Sequence, residues 1–507
     1  MDHRMNDRGG ASRELEIKFE IDPRRLGEME GSLMLHGVSE PPIRLLSTYL
    51  DTDDHTLRKG GFSWRIRKVG DQLIQTVKAQ QSGAAGLHDR PEWELEVAKD
   101  QPDIDAMAGS SLADRLDLDG LRGKLRPLFR TDIERTRWRI PWNRSMVDAA
   151  CDHGRVIAGE HSAEIAELEL ELIDGTLADL FSLARDLASS SGAQLAATSK
   201  AGRGYALLAA GPRGAVKAKP LPITPDMSTG EAFKAVMRAC IRQFLLNEPM
   251  IEAHRDLEAL HQARVAFRRL RSALSIFAPL LDEKKLAPLE ARLQSLFRTL
   301  GRARNLDVHL DTMRAGGTEH LVSPQLLLET AARRERAYDE AIARLTSPGC
   351  RALLLEFSAL AELEPWLGHR SRRDVARRPV REFASREVET LWRQIDDLDT
   401  RLDRRRSREL HRLRICAKTL RYGCEFFGAA FTKPKAAARY RRFIARLGEL
   451  QDVLGALNDL TTSGKLAKKG AAHPPRHEDE RVKRAKADLL AAAAAAYASL
   501  RKTKPFW

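Results

Sequence analysis

The sequence is poor in cysteine, and the little it has is unpatterned. Cys151, Cys240, Cys350, Cys416 and Cys424 stand far apart with no Cys-x-x-Cys pair, which speaks against a disulfide framework and a thiolate zinc site. Long hydrophobic runs are missing too. The longest, Leu489 to Ala496, is short and alanine-rich, well below the ~20 apolar residues of a membrane-spanning helix. No apolar stretch follows the charged N-terminal residues, so neither a secretory signal nor a membrane span is expected, and a reducing cytoplasm fits. Aromatic residues make up only 6%. None shares the basic stripes described below, as base stacking on a nucleic acid would require, and no helix-turn-helix, RRM or KH signature is found.

What is present is charge. The 507 residues carry a formal net charge of +14 and a pI near 9.6, which favours an acidic partner: nucleic acid, anionic membrane or a phosphate polymer. With 43% hydrophobic residues, the chain can bury more than one core, and its length predicts two or three domains.

The pattern changes character along the chain. Up to residue 208 it is mostly period two, broken by turns such as Lys59-Gly60-Gly61 and Val69-Gly70-Asp71, as antiparallel strands with a few short helices require. Residues 209–228 are rich in Pro, Gly and Lys without periodicity, and read as a linker. From Thr229 onward Leu, Ala and Arg recur at three- and four-residue steps, predicting helix bundles, with a loose polar stretch from Ser463 to about Glu480 before a last helix. This half repeats internally. His261, Arg264, Arg268, Leu270 and Arg271 recur as His411, Arg414, Lys418, Leu420 and Arg421, and Leu300-Gly301 recurs as Leu447-Gly448. Two bundles of one design are expected, over residues 229–365 and 380–507.

In the first half the alternation places charge where strands usually carry uncharged polar groups. Glu14, Glu16 and Lys18 share one pleat of a predicted strand, as do Arg65 and Arg67, the row Arg135, Arg137 and Arg139, and the row Glu167, Glu169 and Glu171. On one strand a charged pleat is ordinarily the solvent face. Rows of pure Glu and pure Arg, however, repel along their own strands and make sense when they face one another or a shared ligand. Carboxylates beside guanidiniums suit a divalent cation and a phosphate chain respectively.

As a set, Glu14-x-Glu16-x-Lys18, Arg65-x-Arg67, Lys78, Arg135, Asp152, Glu167-x-Glu169 and Ser199-Lys200 with Arg203-Gly204-Tyr205 resemble the CYTH domain of triphosphate tunnel metalloenzymes, over residues 12–208. The resemblance implies an eight-stranded antiparallel β-barrel. In it Glu14, Glu16, Asp152, Glu167 and Glu169 would bind Mg²⁺ or Mn²⁺, and Lys18, Arg65, Arg67, Lys78, Arg135, Lys200 and Arg203 would hold a linear triphosphate. Glu92, Glu94, Glu96 and Glu171 are not assigned a role.

Within each helical repeat the His and its three basic partners fall at steps 0, 3, 7 and 10, a stripe about 80° wide on one helix. Residues 229–507 resemble the CHAD domain, two four-helix-bundle repeats with a basic groove for inorganic polyphosphate. The matching residues are His261, Arg264, Arg268, Arg271, His411, Arg414, Lys418 and Arg421. Lys418 departs from arginine, and Glu449-Leu450-Gln451 is less basic than Arg302-Ala303-Arg304. Together the resemblances imply an α+β multidomain inorganic triphosphatase, a cytoplasmic metal-dependent hydrolase of tripolyphosphate whose helical half binds polyphosphate or its granules; the composition speaks against a membrane partner and disfavours nucleic acid. The alternatives are a thiamine or nucleoside triphosphate hydrolase, an adenylate cyclase, or a non-catalytic polyphosphate-binding protein.

Overall fold

A computed structural model describes residues 12–79, 86–209, 214–315, 323–396, 407–470 and 476–507. The N-terminal part is an antiparallel sheet domain and the C-terminal part is helical. The strands are β1 (Ser12–Glu20), β2 (Val38–Ser39), β3 (Ile43–Asp51), β4 (Phe62–Val69), β5 (Gln72–Ala79), β6 (Leu87–Glu96), β7 (Arg126–Trp142), β8 (Ser145–Ala158), β9 (His161–Asp174) and β10 (Gln194–Leu195). Their order is β10-β1-β6-β5-β4-β3-β7-β8-β9, with β2 on β7. Strand β1 pairs with β6 over Ser12–Ile17 and with β9 over Glu16–Glu20.

The charged pleats of β1, β7, β8 and β9 fall into register. Lys18 lies opposite Glu169 and Glu20 opposite Glu167, while Asp152 lies between Arg135 and Glu167. The alternate residues are apolar and buried. Ile17, Phe19, Leu168 and Leu170 are solvent-free, as are Leu180, Leu183 and Leu187 of helix α4 (Leu177–Ser191), which packs on β1, β8 and β9 beside α1 (Leu26–Met34). The usual strand arrangement, with apolar residues on the inner face, is therefore reversed here. Two further short helices, α2 (Thr56–Gly60) and α3 (Ile104–Ala108), lie over a second core containing Trp64 and Trp93.

Further along the charged pleats the residues turn apolar. Leu45 and Tyr49 of β3, Phe129 and Ile133 of β7, Val156 and Ala158 of β8 and Ile165 of β9 enclose Ala201 and Tyr205 of α5 (Lys200–Leu208). The fit is close: a Cβ on Gly204 would lie 2.1 Å from the Phe129 ring, so only glycine serves there. Ser199 caps α5 by accepting from the Gly202 amide. At its far side the Tyr205 hydroxyl donates to buried Asp51 at 2.6 Å.

The helical half comprises α6 (Thr229–His254), α7 (Leu257–Ile276), α8 (Glu283–Ala315), α9 (Pro324–Leu345), α10 (Pro348–Glu362), α11 (Arg370–Arg377), α12 (Val380–Asp396), α13 (Ser407–Phe427), α14 (Pro434–Gly470) and α15 (Arg476–Arg501). The starts of α12 to α15 follow those of α6 to α9 by about 150 residues each. Helices therefore run through most of the stretch from Ser463 to Glu480 expected to be loose. Its lysines and alanines support helix.

The chain forms two compact units. The first holds Met1–Ala218, Met237–Phe267 and Lys285–Leu363, and the second Lys219–Val236, Arg268–Lys284 and Glu364–Trp507. The second is built around stacked Phe277 and Phe383, with Phe427 and Phe233 against Phe277 and Trp366 against Phe233. A short bridge between Ser228 and Pro379 ties together the segments that lead into α6 and α12. In the first unit, α4 packs on α10, and the Asn247 side chain bonds both the amide and the carbonyl of Val216 at 2.9 Å. Part of the expected linker is thus pinned to α6.

Also in the first unit, Arg351 of α10 donates to Glu248 at 2.6 Å and Glu252 at 3.4 Å, both on α6, while Gln194 donates to Glu248 at 2.5 Å. Two carboxylates share one guanidinium, with Glu248 and Arg351 buried and Glu252 half-buried. Burial, with repulsion from Glu252 and against the pull of Arg351, pushes the Glu248 carboxyl up to about 7. In an unfolded chain it would titrate near 4.5. The folded state therefore holds this proton more tightly, and its stabilising effect is full below about 4.5 and lost as pH rises through about 7. Glu248→Gln should flatten the melting temperature between pH 5 and 8, where the parent protein loses stability. Parallel thermal melts across that range check this.

Candidate functional site

The aligned pleats bring their charges into one buried lattice. Arg135 meets Asp152 through two bonds of 2.5 and 2.6 Å and Glu169 through a third of 2.6 Å. Lys200 reaches Glu167 at 2.5 Å, Asp152 at 2.7 Å and Glu169 at 3.0 Å. Lys18 lies 2.7 Å from Glu169 and 3.1 Å from Glu16, on the same Glu169 oxygen as Lys200. Arg203 joins Glu20 at 2.9 Å and Glu167 at 3.2 Å. Asp152 is 0% and Glu167 1% exposed, so each of these charges depends on its neighbours in place of water.

Electrostatics follow from this packing. Burial disfavours ionisation of Asp152, but Arg135 and Lys200 outweigh it and hold the carboxyl below its ordinary value. Glu169 is held well below its own, against burial, by Lys18, Lys200 and Arg135. Lys200 in turn is raised, with burial opposed by Asp152, Glu167 and Glu169.

Across the same interior lies a set richer in cations. Lys78 pairs with Glu92 at 2.8 Å, and Arg65 stands 4.0 Å from it. Arg67 donates to Ser47 at 3.1 Å. Burial, followed by repulsion from Arg65 and Arg135, lowers the Arg67 guanidinium to about 9. Such a group gains from any anion that enters. Tyr49, opposite Arg65 in register, feels the same field: despite burial, Arg65, Arg67 and Lys200 lower its phenol.

Asp152, Glu167 and Glu169 each offer an oxygen within 4.8 Å of the others, a hard donor set suited to a small divalent cation. The buried Oε1 of Glu167 accepts no aligned hydrogen bond, although Arg203 is near. Glu16 is 2% exposed and lies beside this group through Lys18. The Glu14 side chain is outside the described residues.

Every other residue expected in the sheet site is in this lattice or the cation-rich set. Four residues that sequence reasoning left out also belong here: Glu20, Glu92, Tyr49 and Ser47. Glu20 shares the two-residue period of Glu16 and Lys18 and was legible from it, whereas Glu92, Tyr49 and Ser47 depend on strand pairing.

The helical residues occupy two stripes. On α7, His261, Arg264 and Arg268 are half-buried and Arg271 is exposed; on α13, His411 is exposed and Arg414, Lys418 and Arg421 are half-buried. Arg264 is heavily committed, lying 4.3 Å from the Phe297 ring centre and donating to the Phe297 carbonyl at 2.9 Å. A Cβ on Gly301 would come within 2.7 Å of its guanidinium. The repeat is not exact here. A Cβ on Gly448 would meet nothing, and Gln451 instead bridges Arg421 and the Ala417 carbonyl.

Comparison with known proteins bears on both halves. The CYTH domain family matches residues 12–205 and the CHAD domain family residues 235–468. An inorganic triphosphatase of Haemophilus influenzae is 34% identical over 196 residues, 38% of this chain and 54% of that relative. The chain thus spans about half the length of that relative. The solved CHAD domain of Ricinus communis is 26% identical, covers 58% of this chain and 98% of its own, and has a TM-score of 0.44. A Hippeastrum protein, named as an adenylyl cyclase and described with a dominant triphosphatase activity, is 17% identical over 38% of this chain and 95% of its own, at a TM-score of 0.31. The chain consists of an N-terminal CYTH domain followed by a C-terminal CHAD domain.

Proposed function

We propose that this protein hydrolyses inorganic triphosphate to pyrophosphate and phosphate inside an eight-stranded tunnel closed by the pairing of β1 with both β6 and β9. The observation that carries the reading is the opposition of a buried carboxylate group, Asp152, Glu167 and Glu169, to the cations Arg65, Arg67 and Lys78. The 34% identity to an inorganic triphosphatase supports it.

Glu14, Glu16, Asp152, Glu167 and Glu169 would hold Mg²⁺ or Mn²⁺. The buried, incompletely bonded oxygen of Glu167 and the clustered hard donors fit such an ion. When bound, the cation supplies charge neutralisation beside the scissile anhydride. Arg65, Arg67 and Lys78 would grip the phosphate chain, with Lys18, Arg135, Lys200 and Arg203 exchanging part of their carboxylate contacts for phosphate oxygens. Phosphoryl transfer spreads charge over the equatorial oxygens, so fixed cations in a water-poor interior lower the barrier by position alone. A protein that only bound anions would gain nothing from burying these carboxylates.

The helical half would bind inorganic polyphosphate along the α7 and α13 stripes, with His261, Arg264, Arg268, Arg271, His411, Arg414, Lys418 and Arg421 as the contacting set. Domain limits of 12–208, 209–228 and 229–507, and a cytoplasmic site near polyphosphate granules, complete the reading. Among the described residues no helix is long and apolar enough to cross a membrane.

Purified protein with Mg²⁺ or Mn²⁺ should release phosphate from tripolyphosphate, and Asp152→Asn should lower kcat by about 10²–10³-fold, the scale of losing one fixed stabilising group at a transition state. Phosphate release and product chromatography check both; an enzyme inert on every triphosphate, with or without metal, refutes the proposal. Arg67→Met should raise the melting temperature of the ligand-free protein by about 2–4 °C, since pH 7 lies below the lowered value of about 9 and the cost of burying the charged guanidinium beside Arg65 and Arg135 is fully present. The same variant should lose most of the further rise that tripolyphosphate gives the parent. For the helical half, Arg271→Glu combined with Arg414→Glu should weaken polyphosphate binding and reduce its salt slope by about two charges, as titrations at several salt concentrations would show. Tighter binding of DNA per phosphate at matched salt would overturn the polymer assignment.

A further inference from the structure

Segment 194–200 enters the lattice from the edge of the sheet, held on two sides. On one side β10 pairs with β1, Leu195 opposite Phe19, and the Ala196 amide donates to the Lys18 carbonyl at 2.9 Å. On the other, Glu248 of α6 accepts from Gln194 at 2.5 Å, and Arg242 of α6 donates to the Ala197 carbonyl at 3.0 Å. Glu248 is itself fixed by Arg351 of α10 at 2.6 Å. Three residues beyond Ala197, the chain turns into α5 and presents Lys200.

We infer that the first helical bundle positions the tunnel lysine Lys200, and that Gln194, Arg242, Glu248 and Arg351 are positioning residues of the CYTH site although three of them belong to helices of the other half. The inference rests on the tunnel reading for its catalytic consequence, but not for its structural one.

The geometry gives the clamp leverage. Lys200 and Lys18 converge on the same oxygen of Glu169, at 3.0 and 2.7 Å, and the backbone at Lys18 is bonded to Ala196. A shift of the 194–200 segment therefore moves both ammonium groups against one carboxylate. Gly204 against Phe129 and Tyr205 against Asp51 fix the other end of α5, so the helix pivots at its N-terminus, where Lys200 lies. Arg203 extends the link, meeting Glu20 of β1 and Glu167 of the acidic group. A displacement of about 1 Å in such a site costs of the order of 10²-fold in rate.

The test combines a chemical and a kinetic measurement on the full chain. An amine-acylating reagent followed by mass spectrometry reads the exposure of Lys200, with exposed Lys59 as the internal control. In Gln194→Ala/Arg242→Ala, Lys200 should react about tenfold faster than in the parent while Lys59 is unchanged, and kcat for tripolyphosphate should fall about tenfold or more with a smaller change in KM. Glu248→Gln, which keeps a carbonyl facing Gln194, should retain most of the protection. In a Lys200→Met background the double substitution should cost little further activity, because positioning residues act through the group they place. Unchanged Lys200 labelling in the folded double variant overturns the inference, as does full additivity with Lys200→Met. Should the double variant lose its far-ultraviolet dichroism, Gln194→Ala alone carries the same comparison. A parent protein inactive on all triphosphates would remove the tunnel reading, while the labelling result would still decide whether the helices hold Lys200.

Discussion

The sheet domain is organised around one carboxylate. Asp152 is solvent-free and shared by Arg135 and Lys200, and a carboxylate in that position is tolerable only while both cations stay with it. Breaking a buried pair of this kind costs about 3–5 kcal/mol. From that constraint follow the reversed strands, since the charged pleats must face one another and the apolar pleats must find cover elsewhere. The cover is α4 and α1. It also explains why α5 enters the interior, because Lys200 supplies the charge that Arg135 alone leaves unmatched against Asp152, Glu167 and Glu169. Gly204 then becomes obligatory, since any Cβ would drive the helix off Phe129 and carry Lys200 with it.

The helical half solves a different problem twice, and not identically. In the first repeat Gly301 leaves room for Arg264 to lie on the Phe297 ring and tie α7 to α8. The second repeat keeps the glycine at 448 but not the close approach, and Gln451 ties α14 to α13 through Arg421 and Ala417. An arginine so committed contributes packing as much as charge. Arg271 and His411 are the most exposed of the matching residues.

Much of this was legible because a two-residue period puts Glu16, Lys18, Arg65, Arg67, Glu167 and Glu169 on defined pleats before any fold is known. Glu20 is legible on the same ground. Glu92 was not, because its meaning depends on lying opposite Lys78 across β5 and β6, and register between strands is set by turns and packing that no single strand records. Tyr49 and Asp51 read as ordinary strand residues until α5 arrives beside them. The bonds from Asn247 to Val216 were hidden by composition, since a Pro- and Gly-rich stretch looks free whether or not a distant side chain holds it.

The charged residues on the two sides of the sheet domain are unequally balanced. On the β7, β8 and β9 side each cation is matched by carboxylates that stay ionised against burial. On the β4 and β5 side Arg65 and Lys78 lie beside Glu92, while Arg67 is lowered by burial and by repulsion from Arg65 and Arg135. A phosphate chain would gain most against the second wall, while a divalent cation would gain most against the first. The anhydride between them would feel opposite fields on its two flanks. In the hydrolytic reading proposed above, that gradient would polarise the bridging bond.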